Sequence, residues 1–324
     1  MQLKKILIIR FSSIGDIILT TPVIRCAHEQ LEGAEIHFVT REAFKPVLAH
    51  NPHIYKLHTF KKDVAEIYEQ LKAEKFDAVI DLHRNLRSFR LKRQLKTKSY
   101  SFNKLNLRKF LAVNFKVFKF LPPVHIVERY LEAAAPLGIK NDGKGLDYFL
   151  SPQDWVDMTT LLQNGDSKFI ALVAGGSYYT KRIPMNKLIA ICYDASLPVV
   201  ILGGPEDKAI ADELQKQFPA LINGCGKFSI NQSASVIQQA EWVITSDTGL
   251  MHMAAAFHKR IVSVWGNTIP EFGMGPYLPN VENKILEVKD LKCRPCSKLG
   301  YRQCPLGHFK CMNEQDFSFV KELE

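Results

Sequence analysis

Ten short runs of aliphatic and β-branched residues recur along the chain, each followed by a stretch with helical spacing. This alternation constrains the fold more than any single motif. The runs are Lys5–Arg10, Glu35–Thr40, Lys56–Phe60, Asp77–His83 and Lys98–Phe102, then Phe169–Ala174, Pro198–Gly203, Trp242–Ser246, Ile261–Trp265 and Ile285–Val288. A run such as Ile6–Ile9 is apolar without alternation, the pattern of a parallel strand covered on both faces. Two such series predict an α/β protein of two doubly wound domains, with ligand loops at the carboxyl ends of the strands. At 324 residues the chain exceeds what one core fills, which agrees with two domains. They are expected at 1–155 and 156–324, joined through the loop-rich stretch Asn141 to Ser167, with a binding cleft between the two sheets.

The chain has 43 basic and 33 acidic residues, an excess of +10 that favours polyanions: nucleic acid, a phosphorylated glycolipid or an anionic membrane face. Much of it lies between Arg84 and Lys119, where Lys and Arg interleave with Phe and Leu. That stretch reads either as a solvated helical face over a core or as a membrane-facing surface. No segment approaches the roughly 18 apolar residues that span a bilayer. The N-terminal "MQLKKILIIR" reads as a strand rather than an export signal, since its apolar run ends at Arg10 before any small-residue cleavage site.

Four strand ends carry residues suited to chemistry. In "IIRFSSIGDIILTTP" one glycine stands where a dinucleotide fingerprint has three, and Asp16 puts a carboxylate where a helix N-terminus would welcome phosphate. The helix dipole and free amides keep that carboxylate ionised, as a cap or as a general base. Pro22 would leave the Ile18 carbonyl without its helical partner, so a kink or a later helix start is expected. In "SDTGLMHMAAA" the amides of Thr248, Gly249 and Leu250 would form an anion-binding nest behind Asp247, with His252 one turn on. "AGGSYYTKRIP" offers Lys181 after a glycine pair, and "ILGGPEDKAI" offers Glu206 to ribose hydroxyls. Together these loops suggest a nucleotide diphosphate in the C-terminal domain.

These segments, with "DLHRNLRS" and "CRPC…CPLGHFKC" and in this order, resemble the lipopolysaccharide heptosyltransferases, glycosyltransferase family 9, from about Arg10 to Cys311. The resemblance implies a GT-B architecture, two Rossmann-like domains facing each other across a cleft, the first binding the acceptor and the second the nucleotide sugar. It implies inverting, metal-independent transfer, typically of heptose from ADP-heptose, to a lipopolysaccharide inner core or another anionic glycolipid. It also implies a cytoplasmic enzyme in peripheral contact with the inner face of the cytoplasmic membrane, with no nucleic-acid partner. Asp16 then matches the catalytic base; Ser177, Lys181, Glu206, Asp247, Thr248, Gly249, Leu250 and His252 fall on the donor side, and Ser13, Arg87 and Ser88 on the acceptor side. Ile183 stands where the family has tryptophan. The chain contains no Asp-x-Asp to hold a catalytic metal.

Of seven cysteines, Cys26, Cys192 and Cys225 read as small buried hydrophobes. Cys293, Cys296, Cys304 and Cys311, with His308 among them, have part of the spacing of a structural zinc site and are otherwise free thiols. Two rival functions stay open at this level. A nucleotide-sugar epimerase would share the fold, and a basic nucleic-acid-binding protein would use the cysteines as a zinc knuckle.

Overall fold

The computed structural model describes residues 3–162 and 167–324. All ten expected strands form. The first sheet contains β1 (Lys5–Ile9), β2 (Glu35–Arg41), β3 (Lys56–Phe60), β4 (Ala78–Asp81) and β5 (Ser99–Ser101), in the parallel order β3-β2-β1-β4-β5. The second contains β6 (Ile170–Val173), β7 (Val199–Leu202), β8 (Ile222–Asn223), β9 (Trp242–Ser246), β10 (Arg260–Trp265) and β11 (Lys284–Glu287), in the parallel order β11-β10-β9-β6-β7-β8. Strand β8 is the addition to the expected ten; two residues at a sheet edge are too few to leave a periodic signal. Counted from its own first strand, each sheet follows 3-2-1-4-5, the order of dinucleotide-binding domains, and reverses between its first and fourth strands.

The helices are α1 (Ile14–Ile18), α2 (Thr21–Gln30), α3 (Tyr68–Ala73), α4 (Leu86–Leu95), α5 (Asn106–Phe115), α6 (Ile126–Ala134), α7 (Met185–Asp194), α8 (Lys208–Gln217), α9 (Ile230–Gln239), α10 (Gly249–Ala256) and α11 (Lys310–Asn313). Pro22 breaks the first of these where expected. It occupies the first turn of α2, where its missing amide costs nothing. The carbonyl of Ile18 accepts the Thr21 hydroxyl at 2.8 Å, and that of Ile17 accepts Thr20 at 2.7 Å. No described helix is long and apolar enough to cross a membrane.

The chain divides into two compact units, Met1–Lys104 with Val124–Phe149, and Leu105–Pro123 with Leu150–Glu324. In the first, Leu7, Ile9 and Val79 pack with Phe11, Phe60, Leu71 and Leu91. In the second, Ile170, Leu172, Ile201 and Ile244 pack with Val262, Met312 and Val320. Segment 105–123 belongs to the second unit because Ala112 packs against Ile269 and Phe272. Lys116 Nζ also donates to the carbonyls of Cys293 and Pro295 at 3.2 and 2.7 Å. Within the expected junction, Asp142 and Asp147 are tied to the first unit by the buried Arg25 guanidinium, whose Nε lies 2.7 Å from Asp142 Oδ2. Residues 163–166 of that junction lie outside the described residues.

Candidate functional site

Asp16 follows β1, at the switch point of the first sheet. Ser13 is the N-cap of α1 and Asp16 its third residue: Ser13 Oγ donates to Asp16 Oδ2 at 2.9 Å and the Ser13 amide reaches the same oxygen at 3.4 Å. The other oxygen, Oδ1, lies 2.7 Å from Arg10 Nη2. Arg10 is fixed from far along the chain, donating to the Leu82 carbonyl at 2.6 Å and the Tyr130 hydroxyl at 2.9 Å. Burial by itself would raise the Asp16 pKa, but the Arg10 charge and the Ser13 bonds outweigh it and hold the carboxyl below its ordinary range. With 25% of its side chain exposed, Asp16 is an ionised carboxylate that still meets solvent.

Around it stand groups that sequence reading did not assign. His83, buried, is pulled down to about 3 by desolvation and then by the charges of Arg10 and Lys104, so it is neutral. Burial lowers Lys104 as well, while Asp81 and Asp16 oppose that shift. Asp81 accepts from the amides of His83 and Arg84 at 3.0 and 2.7 Å and from Ser88 Oγ at 2.9 Å. Ser88 is therefore fully buried, committed to Asp81 and to the cap of α4. Arg87 is half-buried, its guanidinium carbon 6.0 Å from the Phe11 ring centroid. Ser13 is exposed at the mouth of the Asp16 turn.

Lys181, Asp247 and Thr248 meet at the second unit's own switch point, between β6 and β9. Lys181 Nζ donates to Asp247 Oδ2 at 2.6 Å and to the Asp247 carbonyl at 3.2 Å, and Thr268 Oγ1 donates to the same Oδ2 at 3.0 Å. Thr248 caps α10 without using its side chain on the first-turn amides; its hydroxyl lies 3.2 Å from that of Thr245. The amides at Gly249 and Leu250 thus start a helix with no side-chain cap, an arrangement that suits an anion. Gly176 adjoins this corner: a Cβ there would sit 3.8 Å from Thr248 and 3.7 Å from Lys181. His252 is buried on α10, and Ser177 and Glu206 are exposed in their loops. Ile183 fills the core in the place expected for tryptophan, 3% exposed.

Three buttresses of this cluster were not legible in the sequence. Asp207, beside Glu206, is buried and accepts from the Gly204 amide at 3.0 Å; a Cβ on Gly175 would collide with its Oδ2, so any larger residue there would displace that carboxylate. The loop carrying Lys181 is pinned by the cysteine-rich segment, the Tyr301 amide donating to Thr180 Oγ1 at 2.8 Å and the Thr180 amide to the Tyr301 carbonyl at 3.2 Å. Arg294, between the first two cysteines of that segment, donates to the Gly266 and Thr268 carbonyls at 2.6 and 3.0 Å and pairs with Glu287 at 3.0 Å. It thereby holds the residue that braces Asp247.

All seven cysteines are free thiols. Among the described residues, the group of three or more His, Cys, Asp or Glu ligand atoms lying within 4.8 Å of one another is His37, His58 and Glu74, not the four thiols. Burial pushes the Cys311 thiol up to about 12. The cysteine segment braces the second unit through Arg294 and Tyr301.

Two doubly wound parallel α/β units, each with its candidate residues at its switch point, have the architecture of the GT-B glycosyltransferases. Comparison narrows the class. The profile of glycosyltransferase family 9 (heptosyltransferase) matches residues 64–306. Lipopolysaccharide heptosyltransferase 1 of Campylobacter coli is 27% identical over 315 residues, covering 87% of this chain and 89% of the relative. The solved glycosyl transferase family 9 protein of Veillonella parvula superposes with TM-score 0.75 at 24% identity, covering 90% of this chain and 88% of its own. The E. coli heptosyltransferase WaaC with ADP gives TM-score 0.64 at 24% identity, over 82% and 88% of the two chains. The chain belongs to glycosyltransferase family 9 and is a glycosyltransferase.

Proposed function

We propose that this enzyme transfers heptose from ADP-heptose, with inversion and without a catalytic metal, to the inner core of lipopolysaccharide or a related anionic glycolipid. The observation that carries the reading is the Asp16 carboxylate, ionised by Arg10, oriented by Ser13 and open to solvent. The first unit binds the acceptor and the second the donor. Asp16 takes the proton of the acceptor hydroxyl as its oxygen attacks the anomeric carbon. The bond from that carbon to the diphosphate oxygen breaks, and its electron pair leaves with ADP. One displacement inverts the centre.

Charge developing on the diphosphate is met by Lys181, the amides at Thr248, Gly249 and Leu250, and His252. Asp247 orients Lys181, Ser177 lies beside the phosphates, and Glu206 accepts from the ribose. On the acceptor side, Ser13 and Arg87 contact the sugar or its phosphates, and Ser88 positions α4 through Asp81. The ADP in the solved E. coli relative supports an adenine nucleotide. The acceptor is membrane-borne, so the enzyme works at a membrane surface, the cytoplasmic face where ADP-heptose is met.

The test is a thermal-shift screen with ADP, UDP, GDP and CMP sugars, followed by transfer to delipidated core oligosaccharide with and without EDTA. ADP-heptose raising the midpoint most, with transfer insensitive to EDTA, is expected. Strict dependence on Mg²⁺ or Mn²⁺, or conversion of the sugar nucleotide without acceptor, would overturn the assignment.

A further inference from the structure

Between Asp81 and Glu128 the chain contains no acidic residue and twelve basic ones: Arg84, Arg87, Arg90, Lys92, Arg93, Lys96, Lys98, Lys104, Arg108, Lys109, Lys116 and Lys119. These exceed the whole chain's net +10, so the rest of the protein is net acidic. The positive charge is thus concentrated in one stretch rather than spread over a generally basic surface.

The second half of that stretch, α5 and the turn after it, is anchored on one face only. Ala112 is buried against Ile269 and Phe272, Lys109 Nζ lies 5.2 Å from the Phe272 ring centroid, and Lys116 is tied to backbone carbonyls. Residues 109, 112, 113 and 116 therefore form the inner stripe. The outer side presents Leu107, Phe110, Phe115, Phe118 and Phe120, all between 40% and 71% exposed, with Phe110 and Phe115 edge to face at 6.1 Å. Five large apolar side chains exposed within fourteen residues exceed the scattered hydrophobes of an ordinary surface. None carries a polar handle, and exposed Arg108 and Lys119 lie among them.

We propose that Asn106–Phe120 is a membrane-docking element that inserts Leu107, Phe110, Phe115 and Phe118 among the acyl chains of an anionic bilayer while Arg108 and Lys119 bind lipid phosphates. A basic helix with an apolar edge, held by its opposite face to a folded unit, lies in the interfacial plane and binds through buried apolar area plus charge. Aromatic and basic residues also serve single-stranded nucleic acid, but there the rings stack on bases. The aliphatic Leu107 among the phenylalanines favours hydrocarbon. The inference extends the proposed membrane-surface activity, yet its test needs no turnover, so the two can fail separately.

The full chain is sedimented with vesicles of phosphatidylcholine alone and of phosphatidylcholine with 30 mol% phosphatidylglycerol, a probe composition of about one anionic lipid in three. Binding only to the anionic vesicles, weakening with salt, is expected. Arg108→Ser and Lys119→Ser should each cost about 5-fold in partitioning. The triple variant Leu107→Ser, Phe110→Ser, Phe115→Ser should cost more than about tenfold. Both sets should keep the melting midpoint and transfer to delipidated acceptor. In a second measurement, Phe115→Trp fluorescence shifts to the blue and is quenched by brominated lipid, whereas that of Tyr193→Trp, at a position 80% exposed on α7, is not. Equal binding to neutral vesicles, an unquenched Phe115→Trp, retention on RNA without vesicle binding, or self-association that shifts Phe115→Trp without lipid would each overturn the proposal.

Discussion

Replacing Asp16 by Asn separates that carboxylate's observed structural role from its proposed role as base. Asn is nearly isosteric and can still accept the Ser13 hydroxyl, so the cap of α1 survives. What disappears is the anion 2.7 Å from Arg10 Nη2 and the capacity to take a proton. Removing one member of a buried pair costs about 3–5 kcal/mol when the remaining charge is left unpaired. Here Arg10 keeps oxygen partners at Ser12, Leu82 and Tyr130, and the Asp16 side chain is 25% exposed. The stability loss should therefore be nearer about 1–2 kcal/mol. The effect on turnover is larger: a positioned base contributes about 10²–10⁴-fold, or about 2.7–5.4 kcal/mol of barrier. The assay is ADP release at saturating donor and acceptor, well below the variant's melting midpoint, with ADP affinity measured by calorimetry. Turnover should fall at least about 100-fold while ADP affinity changes less than about 2-fold, because the proposed nucleotide site lies in the other unit. A folded Asp16→Asn enzyme turning over within about 3-fold of wild type would refute the base assignment.

Lys181→Ala should weaken ADP about 10- to 100-fold, the worth of a charge-assisted hydrogen bond, and leave adenosine affinity unchanged; equal losses for both ligands would remove Lys181 from the phosphates. Arg294→Met should lower the melting midpoint and also weaken ADP, because Thr268 and hence Asp247 lose their support; a destabilised variant with unaltered ADP affinity would show the brace to be purely structural. Acid stability should depend on two buried histidines in a chain in which Gln70 donates to His58 Nδ1 at 3.1 Å, His58 to His37 at 2.9 Å and His37 to Glu35 at 3.4 Å. Burial, then the charges of His37 and Lys56, pulls His58 down to about 4, and burial lowers His37 too. The unfolded chain protonates these rings near 6.5 and the folded one resists, so their contribution is complete above pH 6.5 and is lost as pH falls towards 4. The unfolding free energy from urea titration should drop across that window by up to about 1.4 kcal/mol per pH unit for each ring, and His58→Gln should flatten the profile.

Much of this protein was legible residue by residue. Strands covered on both faces must be continuous apolar runs, so Ile6–Ile9, Val199–Leu202 and Trp242–Ser246 announce themselves, and with them the loops at their carboxyl ends. Asp16, Lys181 and the Ser246–Leu250 turn stand out for the same reason: caps, glycine turns and proline breaks are written in contiguous letters. Arg10 lies only six residues from Asp16, but nothing in those residues says that Leu82 and Tyr130 will aim its guanidinium. Nor does sequence order reveal that 105–123 leaves the first unit to pack on Ile269 and Phe272, that Ser88 is spent on Asp81, or that the cysteine segment braces the Lys181 loop. Periodicity and capping depend on neighbours along the chain, which the sequence states outright. The partner of a buried charge depends on which distant segments the crossover connections bring together, and that is settled only when the sheets are packed.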